Sequence, residues 1–275
     1  RAGEGSALAN LAKLFWEQSQ YERAAEFFVL SLGISREMGN KRGEGSTLGN
    51  LGLIYQNQGQ YDRAIEHFRQ AIEIAREGGH SRNEGVRLTN LGGLYQSLGQ
   101  HDRAIEYYVL AIDIARETGD KLNEGLTVGN LGTIYSVLGQ HERAIEHYTR
   151  AIDIAREGGK KRNEGVNLGN LGDALVKIER FDQAEVAYRS AIVLGDETLP
   201  GAAGAFRGSL ALLLAQQCKL DEAQTCLEIG EVQVRSEPDE FAKFLCKKSH
   251  VCHMAGNTAA AQAALKQAQE IAAEL

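Results

Sequence analysis

The chain has 275 residues, a formal net charge of −7 and only two prolines. Apolar residues make up 43% and charged residues 24%, which suits a folded globular chain and excludes intrinsic disorder. The longest apolar runs are a few residues, too short for a membrane span, and the acidic balance argues against nucleic acid as the main partner. The chain opens at Arg1 without a signal-peptide pattern, so it reads as a piece of something longer. Cys218, Cys226, Cys246 and Cys252 cluster late in the chain rather than forming a distributed disulfide framework, and a reducing, cytoplasmic setting is expected.

An internal repeat organises the sequence. Asn-Leu recurs at Asn10-Leu11, Asn50-Leu51, Asn90-Leu91, Asn130-Leu131 and Asn170-Leu171, a step of 40 residues without slippage. Blocks 81–120 and 121–160 agree at 24 of 40 positions. Within a unit, Leu48, Leu51, Ile54 and Tyr55 follow helical spacing, and Gly59-Gln60 breaks the pattern. A second helix opens at Tyr61, with Ala64, Ile65, Phe68, Ala71, Ile72 and Ala75 on one stripe, and Gly78-Gly79 ends it. Asn40 and Asp120 can cap first helices, whereas His80 and Lys160 at the equivalent places cap poorly. Gly52, Gly92, Gly132 and Gly172 fall in mid-helix, where each costs roughly 1 kcal/mol against Ala. Their recurrence predicts a close helix contact, with Ala64, Ala104, Ala144 and Ala184 expected opposite them. Two helices cannot bury a core alone, so neighbouring units must stack.

Leu51-Gly52, Tyr55, Gly59, Tyr61, Ala64, Phe68 and Ala71 resemble the tetratricopeptide repeat motif, and the match recurs in phase through units two to five and more loosely in the first. The period exceeds the family's familiar length of about 34 residues. Gly-Asn-Leu-Gly and Arg42-Gly43-Glu44-Gly45 resemble the subclass found in LGN/Pins scaffolds, with kinesin light chains as longer relatives. The expected fold is all-α, a right-handed superhelical solenoid of about seven helix-turn-helix units. Five regular units are expected over residues 1–194, with two degenerate units over 195–275. Gly195 to Pro200 reads as a loop, Pro238 as a helix start, and about 258–273 as the final helix.

Catalytic chemistry is not evident. Glu66, Glu106 and Glu146 beside Arg63, Arg103 and Arg143 read as a solvated, salt-bridged face, since a catalytic pair would not be copied in every unit. His67 and His147 read as substitutes for aromatic residues. Cys246, His250 and His253 share a helical face, but no fourth ligand is evident, so no metal or other cofactor is expected.

The resemblance implies that first helices line a concave groove holding an extended peptide or a helix. Helical steps from each Asn, at −4, −1, 0, +3 and +7, select the groove face. The candidate peptide-binding residues are Asn10, Asn50, Asn57, Asn90, Asn130, Asn170, Leu53, Val86 and Thr133. An Asn side chain offers two donors and an acceptor, which suits a peptide backbone. The alternative is that each Asn bonds to a neighbouring repeat and fixes the stack. Units two to four carry no charge on the selected face, whereas Asp173, Lys177, Lys243 and Lys247 bring charge later. The expected function is a noncatalytic scaffold that binds a protein or peptide segment. The alternatives are a peptide-sensing regulatory module of a larger signalling protein and a purely structural or self-assembling spacer.

Overall fold

Repeats two to four each fold as two helices of 17 residues joined by three-residue turns, and this arithmetic produces the 40-residue period. The structure, a computed structural model, describes residues 2–275. The described residues form fourteen helices: α1 (Ala2–Glu17), α2 (Tyr21–Glu37), α3 (Lys41–Asn57), α4 (Tyr61–Glu77), α5 (Ser81–Ser97), α6 (His101–Glu117), α7 (Lys121–Val137), α8 (His141–Glu157), α9 (Lys161–Lys177), α10 (Phe181–Thr198), α11 (Pro200–Gln216), α12 (Leu220–Val234), α13 (Pro238–Met254) and α14 (Thr258–Glu274). Odd-numbered helices are the first of each pair and even-numbered helices the second. The chain divides into two compact units, residues 1–130 and 131–275. The first is built on Ala12, Phe28, Leu48, Leu51 and Ile54, and the second on Leu175, Tyr188, Leu214, Phe244 and Leu245.

Helix ends follow from backbone conformation. Gly59 has φ +70°, its amide donates to Gln56, and the amide of Gln60 donates to Tyr55 at 2.8 Å. This double bond caps the last carbonyls of α3 and needs a left-handed residue, which glycine supplies without a Cβ penalty. Three turns place another residue there: Ser19, Glu179 and Cys218, with φ of 59°, 61° and 62°. Asn40 accepts from the Gly43 amide at 3.0 Å and Asp120 from Asn123 at 3.2 Å, while His80 and Lys160 make no side-chain cap.

The nearest neighbours of the mid-helix glycines are aromatic rings of the second helices. A Cβ on Gly52 would stand 2.7 Å from the Phe68 ring, on Gly92 2.7 Å from Tyr108, on Gly132 2.9 Å from Tyr148, and on Gly172 2.6 Å from Tyr188. The rings lie four residues beyond Ala64, Ala104, Ala144 and Ala184, which are themselves fully buried. The helix-propensity cost of each glycine is offset by flat contact with a fully buried ring.

A recurrent ion pair joins successive repeats. Arg36 bonds to Glu44 at 2.9 Å, Arg76 to Glu84 at 2.8 Å, Arg116 to Glu124 at 3.1 Å and Arg156 to Glu164 at 2.6 Å. The glutamate belongs to the repeated Glu-Gly pair, and the arginine closes the preceding second helix. Burial would raise the Glu124 carboxyl, but hydrogen bonds from Lys121 and Arg116 outweigh it and hold the group below its usual value.

Two sequence expectations are corrected. Gly195 to Thr198 continue α10, and Leu199 alone separates it from Pro200, the first residue of α11, so the expected loop is absent. Proline is well suited to a first helical position, because the amide it lacks has no intrahelical partner there. Arg63, Arg103 and Arg143 do not bridge to the neighbouring glutamates. They donate to Gln60, Gln100 and Gln140 at 2.9 to 3.0 Å and lie over the Tyr55, Tyr95 and Tyr135 rings.

Two stability measurements test this packing. Gly92→Leu should destabilise by about 1–3 kcal/mol or more, because the Tyr108 ring cannot withdraw, whereas Glu106→Gln should stay within about 0.5 kcal/mol. Equal unfolding midpoints in urea for the two variants would contradict the glycine–ring contact. Glu179→Gly should raise stability by about 1 kcal/mol by relieving a left-handed non-glycine residue. A lowered thermal midpoint would contradict it.

Candidate functional site

The second-helix rings run beneath the glycines and end at the first-helix face. Phe68 ends without a polar atom, and the +3 residue of its repeat is Leu53. The Tyr108 hydroxyl donates to Gln96 at 2.8 Å, the Tyr148 hydroxyl to Thr133 at 3.2 Å, and the Tyr188 hydroxyl to Asp173 at 2.6 Å. Leu53, Gly93, Thr133 and Asp173 are the same repeat position. Its chemistry is therefore matched to the buried ring behind it.

Asn50, Asn90, Asn130 and Asn170 are half-buried on this face, and Asn10 and Asn57 are exposed. Asn130 hydrogen-bonds with Tyr108. Burial pushes the Tyr108 phenol up to about 12, against a smaller lowering by Asn130. The side chains of Asn50, Asn90 and Asn170 have no intramolecular hydrogen bond among the described residues, in contrast to Asn167, which donates to its own helix at Asn163. Leu53, Val86 and Thr133 are half-buried beside them.

The −1 position chosen from helical steps belongs to packing instead. Gly49 lies under the Arg87 guanidinium and Gly169 under the Phe206 ring, so that a Cβ on either would overlap its neighbour. Thr89 at the same position meets Thr127, oxygen to oxygen, at 2.8 Å. In these three pairs a first helix receives a side chain from the next first helix, either a large group on glycine or threonine on threonine.

Arg87 was not on the face selected from sequence. It is half-buried, burial lowers its pKa, and no carboxylate pairs with it among the described residues. The middle of the first unit therefore carries a cation where none was expected. Arg87 stands three residues before Asn90, and its guanidinium reaches back over Gly49 of the preceding first helix.

In the second unit, α9, α10, α11 and α13 enclose a cavity of about 370 Å3. Asp173, Lys177, Tyr188, Ser209 and Lys247 bring its polar atoms together. Lys247 donates to Ser209 at 2.7 Å, and the Tyr188 hydroxyl already engages the single carboxylate. The phenol of Tyr188 is pushed far up by burial and by the adjacent Asp173 charge. Sequence reasoning placed Asp173, Lys177 and Lys247 near one end of the face. Ser209 was harder to place, because α11 starts 39 residues after α9 rather than 40.

Elsewhere, Cys246, His250 and His253 are exposed on α13, and the His250 Nδ1 lies 3.1 Å from the Cys246 carbonyl. Among the described residues, no three His, Cys, Asp or Glu side chains are grouped to hold a metal ion. No described helix is long and apolar enough to cross a membrane.

A tetratricopeptide repeat profile matches residues 43–117 and 121–192, and a second profile of the same description matches residues 7–42. The chain belongs to the tetratricopeptide repeat family. No curated protein sequence matches it. Among solved structures, aspartyl phosphate phosphatase F from Bacillus subtilis has TM-score 0.75 and 15% identity, covering 98% of this chain and 70% of its own. The apo form of the quorum sensor NprR from B. thuringiensis has TM-score 0.73 and 17% identity, covering 96% and 75%. A signal transduction ATPase with numerous domains from Pyrococcus horikoshii, which carries a tetratricopeptide repeat sensor, has TM-score 0.74 and 15% identity, covering 96% of this chain and 41% of its own. At these identities the likeness is one of fold.

The buried phenols of this tetratricopeptide repeat array predict an alkaline limit. Their folded pKa values lie above the ordinary 10.0, so the folded state keeps protons that the unfolded chain releases. Stability should fall as pH rises from 10 towards about 12 for Tyr108. Tyr108→Phe and Tyr188→Phe should each flatten that loss in urea unfolding measured across the range. An unchanged slope would contradict the burial of the phenols.

Proposed function

We propose that the chain is a noncatalytic protein-interaction module that binds an extended peptide segment along its first-helix face, the concave groove of the family. The observation that carries this reading is the asparagine set. Asn50, Asn90 and Asn170 recur at one helical position, are half-buried, and lack intramolecular partners. These amides keep access to solvent, so their donors and acceptors are open to a peptide backbone. In the first unit, Asn10, Asn50, Asn57, Asn90 and Asn130 with Leu53 and Val86 offer amide bonds and apolar contact, and Arg87 adds one cation. In the second, Thr133 and Asn170 precede the Asp173, Lys177 and Lys247 cavity, which suits an anionic group such as a side-chain or terminal carboxylate.

Catalysis has no part in this reading, because the polar groups are carried once per repeat and a catalytic set is a single event. One structural neighbour is a phosphatase by name, and that activity is said of that protein. Residues 195–275 serve here as two degenerate units closing the five regular ones. The Gly-Asn-Leu-Gly stretch keeps its resemblance to LGN/Pins scaffolds and favours a protein segment as ligand, with no role for nucleic acid or membrane. A second reading, a peptide-sensing module of a larger signalling protein, is favoured by the fold shared with a quorum sensor and with the sensor of a multidomain ATPase.

Selection from a random peptide library against the intact chain tests the proposal. Peptides so obtained should lose about 0.5–1.5 kcal/mol of affinity for each lost hydrogen bond in Asn50→Ala, Asn90→Ala and Asn170→Ala, with thermal midpoints unchanged. Selected peptides that bind the triple variant as tightly as the parent would place the ligand elsewhere and remove the asparagine set from the function.

A further inference from the structure

The outer side of the repeats, built by second helices over the first, carries a motif that the fifth repeat abandons. Phe15 stacks on Phe27 at 5.2 Å, Tyr55 meets His67 at 5.0 Å, Tyr95 stacks on Tyr107 at 5.4 Å, and Tyr135 meets His147 at 5.0 Å. An arginine covers each pair: Arg23, Arg63, Arg103 and Arg143 stand 4.8, 5.4, 5.4 and 5.6 Å from a ring centroid. The 40-residue step carries these three positions to Leu175, Ala187 and Gln183. Both rings and the cation are lost together.

The loss leaves open space. A cavity of about 520 Å3 lies among α8, α9 and α10, and Leu175, Ala187 and Gln183 all line it. Two further changes widen it. Thr149 stands where the second repeat has Arg69, whose guanidinium donates to the Tyr95 hydroxyl at 3.2 Å. Val186 stands where the other four repeats have Glu26, Glu66, Glu106 and Glu146. That glutamate is lost with the arginine, but other carboxylates stay. Asp153 and Asp182 remain on the cavity lining, and its one arginine, Arg156, is held by Glu164 at 2.6 Å. The site has therefore kept two carboxylates and shed its ring pair, its free guanidinium and one glutamate.

We propose that this cavity binds a small molecule consisting of an aromatic ring with a positively charged group, an aromatic amine, which replaces the ring and cation that the fifth repeat lacks. The volume falls in the range of small-molecule sites, roughly 300–1,000 Å3. The apolar walls take the ring, and the aspartates take the charge at the rim. The cavity is bounded by three helices of one unit and is separate from the first-helix face assigned to peptide.

The probes are tryptamine, uncharged 3-methylindole and anionic indole-3-propionate, titrated into the intact chain by calorimetry and saturation-transfer NMR. Tryptamine should bind at one site per chain, and indole-3-propionate at least about tenfold more weakly. The variant Leu175→Tyr/Ala187→Tyr/Gln183→Arg restores the residues of the third repeat. It should lose tryptamine binding by at least about tenfold and unfold at a higher temperature. Asp153→Asn/Asp182→Asn changes exposed groups only, and should weaken tryptamine several-fold while leaving 3-methylindole unchanged, so the test stands even where the filled variant does not fold. Absence of saturable tryptamine binding, equal binding of the cationic and anionic probes, or undiminished binding by either folded variant would overturn the proposal.

Discussion

The distance between the two helices of a repeat is set by a ring lying flat on a glycine. Tyr108 is almost wholly buried, and a single added carbon at Gly92 would come within 2.7 Å of it. That spacing fixes how near α5 and α6 approach, and so where the rest of each helix must go. Helix propensity alone would choose alanine at this position. The repeated choice of glycine at Gly52, Gly92, Gly132 and Gly172 shows that ring contact outweighs propensity in repeats two to five, while the first repeat has Ala12 there. With the pair spacing fixed, the left-handed turn residues and the arginine–glutamate pairs have defined places. Arg76 leaves the last turn of α4 and reaches Glu84 in the first turn of α5 because both helices have the same length and the same turn between them. The period is strict for this mechanical reason. A one-residue insertion would rotate a helix by about 100° and move the glycine off its ring.

Much of this was legible in the sequence, and the failures have physical causes. Helix ends were legible because glycine marks a left-handed residue. Glu179 and Cys218 take the same conformation with no such mark, and there only the repeat length locates the turn. The importance of the mid-helix glycines was legible from recurrence, but their partners were not. Spacing along one helix does not say which neighbour comes nearest to a gap. The expected loop before Pro200 failed because Gly195 and Pro200 suit a helix interior contact and a helix start as well as a turn. Gly195 packs against Ala203, where a Cβ would stand 2.9 Å away. For the first-helix face, the asparagines were found by counting helical steps. Arg87 was missed because counting steps locates a Cβ and not the end of a long side chain.

The outer face shows how a repeat protein can acquire difference. Four repeats spend the same three positions on a ring pair and an arginine, and their sequences vary only within that theme: Phe with Phe, Tyr with His, Tyr with Tyr. The fifth departs at all three positions and at one neighbour, Val186, and the fourth brings Thr149 against it. A single large-to-small change in a packed place would simply leave a destabilising void. Correlated loss of the rings, the covering cation and a flanking glutamate changes shape and charge together, and this separates the cavity beside α9 from a packing defect.

The same logic links core and surface on the first-helix face. A residue exposed to a ligand at the +3 position is also the residue met by the far end of a buried ring. Leu53 accompanies a ring with no hydroxyl, Thr133 receives one hydrogen bond from Tyr148, and Asp173 receives one from Tyr188 at 2.6 Å. The face thus grades from apolar to anionic across the repeats, and the buried phenols grade with it. Changing Asp173 to an apolar residue would strand the Tyr188 hydroxyl, while changing Tyr188 to Phe would leave Asp173 with one fewer donor and free to turn towards Lys177 or a ligand. An unpaired buried polar group costs more than a bond between two partners contributes. Selection on ligand preference at this face therefore acts on pairs of positions about 15 residues apart, one visible to the ligand and one hidden beneath a glycine.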